Sequence, residues 1–252
     1  MGDTTKNTIV KLDEGIVDHM GFQKMSRREL LKLFPVLALG AMLFPKLREP
    51  ILRAGVRLSD SVSQTSFRGQ HLAETFGDGE VSPPEKFPFN YYDVLDPEVD
   101  LSNWSLSLSG MVNKPGEYSL AQIQALPKVV QNTRHVCVEG WSVIGNFGGA
   151  RISDFLARVG VDPRALFVEV ECADDYYESI DIRSAMHPQS LLCYEMYGRP
   201  LERGHGAPLR LQMPTKLGYK QAKYLTSLRV TNVLSARKGY WEDLGYSWHG
   251  GL

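Results

Sequence analysis

The sequence predicts an α+β fold of mixed β-sheets with short helices. Three observations carry that reading. Alternating or β-branched stretches outnumber helical ones between residues 103 and 233. The segments with clear helix start and stop signals are short and scattered among the strands. No regular strand–helix alternation and no Gly-x-Gly-x-x-Gly segment occur, which argues against a dinucleotide-binding fold. The 252 residues are 43% hydrophobic and 23% charged, ordinary for one domain with a full core. A net charge of -1 gives no sign of a nucleic-acid partner.

Residues 1–25 are polar and show little periodicity. Ser26-Arg27-Arg28-Glu29-Leu30-Leu31-Lys32 then leads into the apolar run Leu33 to Phe44. This resembles the twin-arginine export signal, with Leu30 where phenylalanine is more usual. The run is shorter than the ~20 apolar residues of a membrane-spanning helix, and it contains Pro35. A short helical anchor and an amphipathic surface helix are the alternatives; an anchor would associate residues 30–44 with a membrane. Ala38-Leu39-Gly40 offers small residues for cleavage. The expected division is an export signal or anchor over 1–45, a linker and lead-in over 46–88, and the folded domain over 89–252.

Residues 59–88 are rich in Ser, Gly, Pro and Glu and read as an irregular surface lead-in. It ends in Phe87-Pro-Phe-Asn-Tyr-Tyr-Asp93, where an asparagine and two tyrosines can hydrogen-bond and stack on a planar ligand, or simply cap the core.

Within the domain, Trp104, Leu106 and Leu108 alternate with polar residues in a half-buried strand over 103–109. Asn113-Lys-Pro-Gly116 is a turn. Ser119 and Gln122 form a capping box for a helix that Pro127 ends. The strand reaching Cys137 follows. Ser153 caps a second helix that stops at Gly160. Strands are expected over Phe167–Cys172, Leu191–Met196, Leu209–Met213 and Leu228–Val233. Ile180–Met186 reads as a strand end and a turn of helix, and Gly198-Arg-Pro200 as a turn.

Arg134-His-Val-Cys-Val-Glu-Gly-Trp-Ser142 puts a thiol where a β-branched run meets a tight turn. A deprotonated thiol there is a soft metal ligand; a buried, inert cysteine is the other reading. The three cysteines, Cys137, Cys172 and Cys193, make neither a disulfide framework nor a CxxC pair.

Cys-Val-Glu-Gly-Trp-Ser resembles the signature of the sulfite oxidase family of molybdenum enzymes, the oxidoreductase molybdopterin-binding domain. The resemblance runs from about Asn90 to Gly245. It implies a sulfite-oxidase-type fold, molybdenum and molybdopterin as cofactors, and Cys137 as the metal's one protein thiolate. It implies pterin contacts from Asn90, Tyr91 and Tyr92. It implies a tyrosine beside the metal in Asp174-Asp-Tyr-Tyr-Glu-Ser-Ile180, matched to Tyr176 with Tyr177 as the other register. Cys172 falls where some relatives place a residue close to the cofactor; an inert core cysteine is the alternative. His205-Gly-Ala-Pro-Leu-Arg210 and Gly218-Tyr-Lys-Gln-Ala-Lys223 match the family's grip on the pterin phosphate, through His205, Arg210, Lys220 and Lys223.

The implied reaction is two-electron oxygen-atom transfer on a small sulfur compound of the sulfite or sulfoxide class. The layout looks like the exported, single-domain type similar to the periplasmic methionine-sulfoxide reductase catalytic subunit. The protein would then be periplasmic or exported, possible anchoring to the inner membrane included, with a haem-type electron partner. Glycine at 140 where alanine is usual, and His205 in place of an asparagine, depart from that subtype. Arg134 and His135 either bind an anion near the metal or face solvent. The competing readings are an exported binding module of the same fold that has lost catalysis, and a metal-free thiol enzyme using Cys137 and His135.

Overall fold

The computed structural model describes residues 45–66, 71–92, 97 and 99–252. The twin-arginine motif and its apolar run lie outside them. The chain divides into two compact units, residues 1–52 and 53–252. Helix α1 spans Pro45–Ser66, so residues 59–66 are helical where their serines suggested irregular chain. A tertiary contact accounts for the difference. The Asp60 carboxylate accepts hydrogen bonds from the backbone N–H groups of Trp248 (3.0 Å) and His249 (3.1 Å), and from the Ser247 hydroxyl. Among the described residues, no helix is long and apolar enough to cross a membrane.

The first sheet orders five strands β2-β1-β10-β5-β6: β1 (Ser105–Gly110), β2 (Gly116–Ser119), β5 (Phe167–Cys172), β6 (Tyr177–Asp181) and β10 (Leu225–Thr231). β1 and β10 run parallel and the other pairs antiparallel, so the sheet is mixed, as expected. Alternation decides its buried face: Leu106 and Leu108 on β1, Val168 and Val170 on β5, and Leu228 and Val230 on β10 all enter the main core.

Short helices close that core. α2 (Leu120–Gln124) starts at the expected capping box, with Ser119 Oγ accepting from Gln122 N–H. α3 (Ile152–Val159) buries Ile152, Phe155, Leu156 and Val159, one face of a helix at spacings of three and four. It ends at Gly160 in the left-handed region (φ 70°). Its start differs from expectation: Arg151 is the cap residue, and no side chain caps it. α4 (Ile182–Ala185) is capped by Asp181, which accepts from Ser184 N–H.

The second sheet positions the site. It orders β3 (Lys128–Val136), β4 (Ser142–Arg151), β7 (Leu191–Met196) and β8 (Arg199–Pro200), with β9 (Arg210–Gln212) also on β7. β4 is the strand the sequence hid. Gly145, Gly148 and Gly149 depress its strand propensity, yet packing requires one of them. A Cβ on Gly149 would stand 2.3 Å from Leu192 O and 2.8 Å from Cys193 Cα, both backbone atoms of β7. Gly149→Ala therefore forces β4 and β7 apart. The expected loss is about 1–3 kcal/mol of stability, read as a lower thermal midpoint with the m-value unchanged.

Candidate functional site

β3 and β4 form a hairpin whose loop is Cys137–Trp141. Val136 pairs with Ser142, Cys137 N–H donates to Trp141 O (2.9 Å), and Gly140 N–H donates to Cys137 O (3.1 Å). Gly140 takes φ 92°, a left-handed conformation that strongly favours glycine. The loop leaves Cys137 half-buried at the surface end of a sheet. Burial, with the Glu139 charge adding, raises the thiol's pKa. Glu139 Oε2 lies 3.8 Å from Cys137 Sγ and accepts from Trp141 Nε1 and Asn90 Nδ2, each at 3.0 Å. Those donors, Trp141 first, hold the Glu139 carboxyl below the usual range.

Asn90 arrives from the lead-in, 47 residues upstream of Cys137, and its amide stands 3.6 Å from Cys137 Sγ. Phe87 brings it there. That ring is buried against His135 (5.1 Å), Trp141 (6.2 Å), Phe147 (6.1 Å) and His205 (5.0 Å). Lys223 fastens the segment from the other side: its ammonium donates to Asn90 O (2.6 Å) and Gly204 O (2.9 Å) and sits over the Tyr91 ring (4.3 Å). Tyr92 turns inward, against Tyr176 (5.2 Å) and Tyr240 (4.6 Å), and donates its hydroxyl to Asp174 O.

A buried cation lies near His135, two residues before the thiol, and His205. Arg210, on β9, donates only to the backbone carbonyls of His205 (3.1 Å) and Leu211 (3.4 Å), and no carboxylate pairs with it among the described residues. Gln212, two residues on and so on the same side of β9, leaves its Oε1 buried without a partner. His135 and His205 are both buried. Burial and the nearby Arg210 charge hold His135 down to about 3, and His205 to about 4. Gln221 Nε2 donates to Lys216 O (3.0 Å), which leaves Oε1 to accept from Met213 N–H and from His135 Nδ1, both at 3.3 Å. The His135 proton thus sits on Nδ1, and Nε2 is an acceptor facing Gly218, where a Cβ would come within 2.8 Å of it.

The structure therefore brings together Cys137, Asn90, Tyr91, His205, Arg210 and Lys223 from four separate stretches. Tyr176 is buried and its hydroxyl is committed to Tyr219 O (2.7 Å). Tyr177 reaches Asp243 instead (2.8 Å). Cys172 lies within the main core, where burial raises its pKa well above the usual thiol range. Cys193 is fully buried on β7, as expected. Arg134 alternates with His135 along β3 and so points to the opposite face, over Phe76 (5.0 Å). Sequence reasoning did not assign Glu139, Trp141, Gln221 or Phe87. Glu139 and Trp141 lay inside the quoted motif, and Gln221 inside the glycine-started loop, but each was read as spelling rather than as a side chain with a partner.

Comparison with known proteins places the family and the fold. Residues 93–241 match the family model described as "Oxidoreductase molybdopterin binding domain". A protein of Azospira oryzae named as a protein-methionine-sulfoxide reductase subunit is 44% identical over 81% of this chain and 77% of its own length. A protein-methionine-sulfoxide reductase catalytic subunit of Xanthomonas campestris is 32% identical over 64% of this chain, which spans 57% of that relative. Among solved structures, the sulfane dehydrogenase SoxCD of Paracoccus pantotrophus shares the fold, with TM-score 0.51 and 21% identity over 56% of this chain and 41% of that one.

Lys220 is instead paired within the chain. Its ammonium is buried between Glu178 Oε1 (2.5 Å) and Glu242 Oε1 (2.6 Å), and donates also to Ser179 O (2.9 Å). Glu242 belongs to α5 (Tyr240–Asp243), so this lysine ties the closing segment to β6. Burial, with Glu242 adding, holds the Glu178 carboxyl well above the usual range. A folded-state pKa that is raised favours the protonated form, so its contribution is full below about pH 4, the unfolded glutamate range, and fades as pH rises through the folded value. Two outcomes are expected in thermal melts. As pH rises above the unfolded glutamate range, Glu178→Gln shows a shallower loss of stability than the unaltered chain. Lys220→Met, which leaves the buried Glu178 and Glu242 carboxyl groups without their cation, loses about 3–5 kcal/mol.

Proposed function

Since the chain belongs to the oxidoreductase molybdopterin-binding domain family, a molybdopterin-dependent enzyme class, we propose that Cys137 is the one protein ligand of its molybdenum. The reaction is two-electron oxygen-atom transfer on a small sulfur compound of the sulfite or sulfoxide class. The observation that carries this is the pairing of a half-exposed thiol with a buried guanidinium lacking a carboxylate. A buried cation with no counter-charge is costly unless an anionic ligand completes it. Arg210 and the orphaned Gln212 Oε1 fit a group that carries both a phosphate and hydrogen-bonding edges. Among the described residues, no three His, Cys, Asp or Glu side chains converge on a metal site, so the remaining donors come from the cofactor.

On this reading His205 and Arg210 face the phosphate end, and the Asn90 amide donates toward the Cys137 sulfur. Tyr91 flanks the entrance and Tyr92 anchors the loop that carries both. Lys223 positions Asn90 and the Gly204 turn rather than gripping phosphate alone. Tyr176 holds the 218–220 loop through Tyr219 O, and Cys172, in the main core, donates its N–H to Tyr176 O. When bound, the cofactor supplies the two-electron couple and the exchangeable oxygen. Reduction of a sulfoxide consumes two electrons and two protons and releases a thioether and water; oxidation of sulfite is the reverse in sense, taking its oxygen from water and giving up two electrons.

The relatives are named as subunits, which supports a partner chain; that the partner carries electrons on a haem is what the family resemblance implies. Export by the twin-arginine route to the periplasm, with residues 30–44 as signal or anchor, is supported by Ser26-Arg27-Arg28 and the apolar run after it.

Cys137→Ala tests the assignment. Loss of partners outside the coordination sphere already costs about 10–100-fold in metal affinity or activity, so loss of the ligand itself costs more than about 100-fold. Molybdenum per chain drops toward zero in Cys137→Ala and is retained in Cys193→Ala. A Cys137→Ala protein with full metal and activity sinks the assignment.

A further inference from the structure

Among the described residues, Glu139 is the acidic side chain hydrogen-bonded to the thiol. It is exposed, and its Oε2 is fixed by two donors while standing 3.8 Å from Cys137 Sγ. Both donors, an amide and an indole N–H, are neutral. They orient the carboxylate without cancelling its charge. No lysine or arginine forms an ion pair with Glu139 among the described residues. The cations nearby are engaged by other groups: Arg210 is buried and donates to backbone carbonyls, Arg134 points to the other face of β3, and Lys223 donates to Asn90 O and Gly204 O. Among the described residues, the side chains that donate to the Glu139 carboxylate, Asn90 and Trp141, are uncharged, and so are the exposed Phe89, Tyr91 and Val138 beside them in the chain. The thiol thus has a fixed negative charge and aromatic side chains beside it.

We propose that Glu139 is a specificity-determining residue, whose held carboxylate turns oxyanions away and leaves the site to uncharged sulfur oxides. The proposal rests on Cys137 being the metal ligand, since only then does a substrate oxygen have to approach within a few ångström of Glu139. A unit negative charge brought to about 5 Å from a carboxylate is disfavoured by about 4-fold in the dielectric of water and about 300-fold at that of a protein surface. An uncharged sulfoxide meets no such term, and its methyl or methylene groups suit the aromatic rim. The Arg210 guanidinium does not reverse this, because it is buried and donates to the backbone carbonyls of His205 and Leu211.

The test uses the molybdenum-loaded enzyme, with dimethyl sulfoxide reduced by electrochemically reduced methyl viologen and sulfite added as the competitor. In the unaltered enzyme sulfite inhibits weakly, and its Ki falls as salt is raised from about 20 mM to about 500 mM, because screening removes the repulsion. The KM for dimethyl sulfoxide stays level over the same range. In Glu139→Gln the Ki for sulfite drops at least about tenfold and its salt dependence disappears, at unchanged molybdenum per chain. A loaded Glu139→Gln enzyme with the same Ki overturns the proposal. If that variant does not take up metal, the salt arm on the unaltered enzyme decides alone: a Ki that is flat or rises with salt overturns it. An unaltered chain without molybdenum overturns the Cys137 assignment first and this proposal with it, whereas a loaded, active enzyme that fails only the sulfite arm leaves that assignment standing.

Discussion

The site depends on the packing of one ring. Phe87 is buried in the second, smaller core with Phe147, Leu191 and Cys193, and it touches His135, Trp141 and His205 besides. Those rings come from β3, from the Cys137 hairpin loop and from the turn before β9. Phe87 thereby locks three separate stretches to one another before any polar contact is counted. A buried phenyl ring contributes about 1.5–3 kcal/mol from area alone, more than the hydrogen bond of a single amide. Asn90 reaches Cys137 because Phe87, three residues earlier, has nowhere else to go.

The molecule treats its buried cations in two opposite ways. Lys220 is enclosed by two carboxylates and a carbonyl, and serves to hold β6 to the closing segment. Arg210 is equally buried, yet it is surrounded by carbonyls and two histidines that stay neutral. The first arrangement pairs the cation within the chain; the second leaves it without a carboxylate among the described residues. On the proposed function, that contrast separates a structural charge from one kept for the cofactor's phosphate. It also explains why the second lysine of the glycine-started loop, Lys223, sits at the edge: it is the fastener between the lead-in and the His205 turn.

Much of the fold was legible because its signals are local. The capping box at Ser119, the stop at Gly160 and the runs at 167–172 and 191–196 are decided within a few residues. β4 was not legible, since its glycines depress strand propensity and one of them, Gly149, is there for the close approach of β7, a neighbour more than 40 residues away. The end of α1 was missed for the same reason: Asp60 is held by backbone groups at 248 and 249. For the site, Cys137, Asn90, His205 and Arg210 could be read from motifs. Lys220 and Lys223 could not be told apart, because spacing gives the same charge to both and only the fold shows which one meets carboxylates. Glu139 was printed in the motif, but its meaning is geometric, a carboxylate pinned beside a sulfur.

The account stands or falls on Cys137 being the thiolate that holds the metal. Cys172 and Cys193 are buried, so Cys137 is the half-exposed thiol among the three. The most direct measurement is site-resolved alkylation, read by mass spectrometry, of the folded protein with and without its cofactor. Cys137 is predicted to react in the cofactor-free protein and to be protected in proportion to molybdenum content in the loaded one. Equal labelling of Cys137 in molybdenum-loaded and molybdenum-free protein would contradict the account.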